Sequence, residues 1–60
     1  MPSDDTRKLL KAFGVAVTSL EDAIDRRAPL EEIARWDQAL ADRTREVIDF
    51  VDRLRSRRIA

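Results

Sequence analysis

Asp25-Arg26-Arg27-Ala28-Pro29-Leu30-Glu31-Glu32 is the segment that decides the fold of this 60-residue chain. Proline has no N–H and crowds the residue before it out of the α region, so a helix arriving at Ala28 has to stop there. Upstream, Arg26 and Arg27 place cations where the carbonyls of a helix C-terminus are exposed. Downstream, Pro29 suits a first helical position, and Glu31 and Glu32 supply acid for the first turn. One helix is therefore predicted to end and another to begin with almost no chain between them, which makes the two antiparallel neighbours. The expected fold is all-α: a single antiparallel two-helix hairpin.

Working outward, the first helix is expected over about residues 4–27, with the turn at about 28–29. Ser3 is the candidate N-cap, and Asp4 and Asp5 follow at the positive end of the helix dipole. Leu9, Leu10, Phe13, Ala16, Val17, Leu20, Ala23 and Ile24 recur at steps of three and four, which defines one helix face. Lys8, Lys11, Thr18, Asp22, Asp25 and Arg26 fall opposite. Val15 points to that polar side, and Gly14 interrupts the interior at about 1 kcal/mol relative to alanine. The second helix is expected over about residues 29–57, supported on its wet face by Glu31–Arg35 and Asp49–Arg53 pairs, as Asp22–Arg26 supports the first.

The second helix carries a wider apolar face than the first. Ile33, Leu40, Val47 and Val51 form its centre; Trp36, Phe50 and Leu54 lie on one flank, and Ala34, Ala41, Thr44, Ile48 and Ile59 on the other. Together they span an arc of roughly 200°, more than one neighbouring helix covers. Two helices cannot enclose a core, and a chain this short, with neither Cys nor His, has no disulfide and no sulfur or imidazole ligand for a structural zinc site. Oligomerisation is the remaining staple, so a homodimeric four-helix bundle is expected. Docking on another protein is the second candidate. The interface residues are Phe13, Val17, Leu20 and Ile24 of the first helix with Ile33, Trp36, Leu40, Val47, Phe50, Val51 and Leu54 of the second. Trp36 and Phe50 fit either core positions or anchors in a partner's pocket.

Nothing in the sequence supports catalysis. Ser3, Ser19, Ser56, Thr6, Thr18 and Thr44 are the remaining nucleophile types, and none has a base at a convincing spacing. Asp42, Glu46 and Asp49 share a polar helix face beside Arg45 and Arg53, which reads as salt-bridged surface rather than a metal site. A lone glycine excludes a phosphate-cradling loop. No cofactor is expected. The longest apolar run, Val15-Ala16-Val17, is far short of the ~20 residues of a membrane span, and Met1-Pro2-Ser3-Asp4-Asp5 carries no secretory signature. A cytoplasmic location is expected, and the preference for Arg over Lys suits a GC-rich bacterial genome.

Charge is balanced, with twelve basic and twelve acidic residues, which argues against grip on phosphate backbones over the whole surface. The local excess is Arg53-Leu54-Arg55-Ser56-Arg57-Arg58, where Arg53, Arg55, Arg57 and Arg58 are candidate nucleic-acid contacts. The same arginines suit the C-terminal dipole of their helix and are expected to lie beside Asp4 and Asp5 of the first. The outline of two helices of ~25 residues and a short turn resembles the Rop-type hairpin, which dimerises into a four-helix bundle. That resemblance is one of architecture, with no segment that aligns and no residue carried over. It implies binding of paired RNA hairpins through polar side chains on one helix pair. A non-enzymatic helical interaction module or accessory subunit is the expected function; a Rop-like RNA-binding regulator is the alternative.

Overall fold

The computed structural model describes residues 3–59, with the side chain of Ile59 outside the description. Two helices make up the described chain, α1 (Asp4–Asp25) and α2 (Leu30–Ile59), joined by four residues and packed along each other. The described residues contain no strand.

The start of α1 follows from its first residues. Ser3 is extended at φ −74°, ψ 164°, and its Oγ accepts the Thr6 N–H at 3.1 Å while lying 2.9 Å from the Thr6 hydroxyl. One of the free amides of the first turn is thereby satisfied, and Asp4 and Asp5 sit in that turn.

The end of α1 comes two residues earlier than the charge pattern predicts. Arg26 is the C-cap, and Arg27 takes a left-handed conformation at φ 56°. The Arg27 N–H donates to the Ile24 carbonyl at 3.1 Å, and the Ala28 N–H donates to the Ala23 carbonyl at 2.9 Å. These are the two reversed bonds of a Schellman motif, in which the left-handed position is usually glycine. Arginine holds it here against a steric cost of about 1–2 kcal/mol. Pro29 stands one residue ahead of α2 rather than in its first position, and its carbonyl accepts from the amides of Glu32 at 3.0 Å and Ile33 at 3.2 Å.

Arg26 also ties the two helix ends together. Its Nε donates to Asp22 Oδ2 at 2.9 Å, and its Nη2 donates to Glu32 in the first turn of α2. The Asp22 hydrogen bond, followed by that to Glu32, holds the guanidinium above its ordinary pKa. A raised folded-state value favours the fold below the unfolded value and is lost only as pH rises past the folded one. Both lie far above neutrality, so Arg26 keeps its charge throughout the working range.

The seam between the helices has a heptad rhythm. In α1 it runs Leu9, Phe13, Ala16, Leu20, Ala23; in α2 it runs Ile33, Trp36, Leu40, Arg43, Val47, Phe50. Among the described residues only Ala16 and Ala23 are buried, at 3% and 0% exposure, while the large seam residues are half-buried. Two cylinders touch along a line, so only side chains as small as alanine disappear in it.

The helices differ in length, 30 residues against 22. Antiparallel pairing that starts at the turn therefore runs out of α1 with the difference, eight residues, still to go. Those last residues of α2 contain Arg53, Leu54, Arg55, Arg57 and Arg58, and the molecule extends to 47 Å.

Candidate functional site

The seam divides the hairpin into two sides of different chemistry. On one, Leu10, Val17 and Ile24 follow each other at intervals of seven along α1, exposed at 52%, 38% and 53%. At about 100° per residue they lie across the seam from Lys8, Lys11 and Val15. That puts them on the side where Leu40, Ala41, Thr44 and Ile48 of α2 line a shallow depression with Asp37 and Arg45. Ile48 and Val51 are exposed there as well. The Ile59 side chain, expected on this flank, lies outside the described residues.

The other side is a groove between the helices. Ala12, Val15, Ala16, Trp36 and Ala39 form its floor, and Lys8, Lys11 and Arg43 stand around it. It continues along α2 past Trp36 and Ala39 to Arg35 and Glu32. Val15, which breaks the apolar stripe of α1, is exposed here at 50%.

Arg43 occupies a seam position of α2 where the spacing calls for an apolar residue. Its Nη2 forms an ion pair with Glu46 Oε2 at 2.6 Å, while its Nε is closed off from water and has no acceptor. Leaving such a donor unpaired costs about 1–3 kcal/mol. Lys8 and Lys11 are exposed and form no ion pair among the described residues.

The residues expected at an interface divide accordingly. Phe13, Leu20, Ile33, Trp36, Leu40, Val47 and Phe50 are half-buried in or beside the intramolecular seam. Val17, Ile24 and Val51 are exposed on the apolar side, and Leu54, 40% exposed, lies in the overhang. Leu10 and Ile48 belong with the exposed group although the sequence reading left them out of the interface. Their signal was present: both continue the seven-residue spacing of Val17 and Ala41. Arg43 and the lysines were missed because a charged residue in a mixed-charge helix reads as solvated. The gap between Leu40 and Val47 in the heptad pattern was the available clue.

The candidate nucleic-acid contacts are not brought onto one face. Arg53 and Arg57 flank Phe50 and Ser56 on one side of the overhang, and the helical period turns Arg55 and Arg58 away from them. No ion pair joins these arginines to Asp4 or Asp5 among the described residues, since the overhang carries them past the start of α1. Of the three helix-surface pairs expected, Asp22–Arg26 forms; Glu31–Arg35 and Asp49–Arg53 do not appear among the described residues.

Gly14 makes no close approach within the hairpin: a methyl group at its Cα would meet nothing within 4 Å. Its carbonyl accepts from the Thr18 hydroxyl at 3.0 Å. No group of three or more acidic residues among those described could hold a metal ion, and no described helix is long and apolar enough to cross a membrane. Comparison with protein-family models, with curated proteins and with solved structures finds no match to this chain.

Proposed function

We propose that this chain is a non-enzymatic, cytoplasmic helical interaction module that works as a homodimer, two hairpins packing their apolar sides together into a four-helix bundle. The observation that carries the reading is the amount of surface left uncovered. The hairpin exposes 5142 Å², whereas a folded monomer of 6.9 kDa is expected to expose about 4,000 Å². The excess, about 1,100 Å², is what one partner gives up in a standard to large protein interface, for which about 800 Å² a side is typical. Much of the exposed aliphatic surface lies on one side, in Leu10, Val17, Ile24, Ile48 and Val51.

A second copy fits that side by its spacing. The large row Leu10, Val17, Ile24 and the smaller row Ala34, Ala41, Ile48 both repeat every seven residues. In a two-fold pair, the large row of each hairpin meets the small row of the other, and the same contact is made twice. The test is solution mass by light scattering over a concentration series, with helicity recorded on the same samples. A helical dimer is expected; a helical monomer across the series overturns the reading.

A second reading rests on the arginine overhang, which clears α1 and is open to a phosphate backbone. It requires a salt-dependent complex with RNA that disappears when Arg55, Arg57 and Arg58 become Ala. The splay of those side chains around α2 favours the protein-interaction reading.

A further inference from the structure

We propose that the groove opposite the apolar side seats an acidic amphipathic helix of a partner protein. The inference rests on the reading of the chain as a protein-interaction module and names the chemistry of its second surface. Three features of the groove converge on it.

The first is its shape and floor. Ala12, Val15 and Ala16 of α1 face Trp36 and Ala39 of α2, so small side chains leave a furrow between two helices with one aromatic ring in it. A third helix fits such a furrow through residues at steps of three and four. Val15 and Trp36 give it apolar surface to cover, and a buried Trp is a common energetic centre of protein interfaces.

The second feature is charge. Lys8 and Lys11 line the α1 rim, and Arg35 and Arg43 the α2 rim. Glu46 is engaged by Arg43 and Glu32 by Arg26, which leaves Lys8, Lys11 and Arg35 without an ion pair among the described residues. A helix with carboxylates flanking an apolar stripe complements both rims at once. A nucleic acid fits less well, because a phosphate backbone brings no apolar stripe to cover Ala12, Val15 and Ala39.

The third is Arg43 itself. A leucine at this seam position would satisfy the heptad and remove a buried donor that has no acceptor. Arginine there weakens the hairpin while adding charge to the groove, the pattern of a residue held for recognition rather than stability.

Trp36 is the sole tryptophan of the chain and lies in the groove floor, so its emission reports occupancy directly. The probe is a synthetic helical peptide of about four turns, roughly 14 residues, with leucines on one stripe and glutamates on both flanks. Titration of the full chain is expected to shift Trp36 emission to the blue and to saturate. The Lys8→Glu, Lys11→Glu double variant, altered only at exposed positions and checked for unchanged helicity, is expected to bind about tenfold or more weakly, and a peptide with lysines in place of glutamates to restore binding to it. Arg43→Leu is expected to lose affinity while gaining thermal stability, a combination that a purely structural arginine would not produce.

Equal binding of a glutamine-substituted peptide overturns the proposal, as does binding that ignores the charge reversal. An RNA oligonucleotide that shifts Trp36 where the acidic peptide does not, or a shift on self-association alone, overturns it too. Solution mass measured in parallel separates the two readings. A dimer that ignores the peptide ends this proposal alone, and a monomer that binds the peptide ends the dimer alone.

Discussion

The two sides of the hairpin flank one seam and are built by the same two helices, yet they differ in how much aliphatic surface they expose and in what surrounds it. The apolar side presents Leu10, Val17, Ile24, Ile48 and Val51 with Asp37 and Arg45 near its α2 strip. The groove side presents Val15 and Trp36 among Lys8, Lys11, Arg35 and Arg43. An aliphatic surface poor in charge is best covered by one like itself, because nothing polar is desolvated when it closes. A surface ringed by cations needs a partner that brings carboxylates. On the proposed reading, the contrast lets a molecule too thin to have an interior separate assembly from recognition, one side of the seam for each.

The most severe way to break the contrast is to destroy the seam that both sides share. Leu40→Asp puts a carboxylate at the middle of the half-buried row of α2, at a cost of several kcal/mol. A chain of this size has only about 3–5 kcal/mol to lose, so circular dichroism at room temperature should show the helices gone. Retained helicity would mean that the seam runs elsewhere.

Next in size is a change confined to the apolar side. Ile48 is 55% exposed in the hairpin, so Ile48→Asp leaves the seam intact but places two charges in a two-fold interface. Dimer dissociation should strengthen by at least about a hundredfold, or ~2.7 kcal/mol, and light scattering should give the mass of one chain at concentrations where the parent is a dimer. Lys8→Ala, on the other side, should leave the mass unchanged.

Arg43→Leu acts on the groove side in the opposite sense. Removing the unpaired Nε should stabilise the fold by about 1–2 kcal/mol, and Tm should rise by roughly 4–8 °C for each kcal/mol. An unchanged or lower Tm would show that the Glu46 pair outweighs the orphaned donor.

Smaller gains test the backbone beneath both sides. Arg27→Gly relieves the left-handed residue of the turn and should add about 1 kcal/mol, read by thermal unfolding. Gly14→Ala should add about 0.5–1 kcal/mol, since the new methyl group meets nothing in the hairpin. A loss instead would place a second helix against Gly14 in the assembly.

Much of this architecture is legible in the sequence because its causes are local. Pro29 and the acids after it, the Ser3 cap, and the steps of three and four along each helix depend on neighbours within a turn or so. The end of α1 was less legible. Charge favours a helix running to Arg27, and only the backbone shows Arg27 at φ 56° with Ala28 bonded back to Ala23. An arginine carries no sign that it will hold a place glycine normally fills.

The candidate surfaces divide in the same way. The excess width of the α2 face, with Trp36, Phe50 and Ile48 on different flanks, can be counted from the spacing. Its consequence cannot, because a helical wheel is drawn about one axis. Which flank of α1 meets which flank of α2 depends on how the two helices are rotated against each other and on which side the short turn lets them lie. Sequence alone therefore determined two helices, their order, the apolar stripe along each and a surplus of apolar surface. The tertiary structure decided that Leu10, Val17 and Ile24 share a side with Ile48, that Lys8 and Lys11 share the other with Trp36 and Arg43, and that the arginines of the overhang pass beyond Asp4 and Asp5. Those pairings join residues far apart in the chain, and only the packing of one helix on the other fixes their distance.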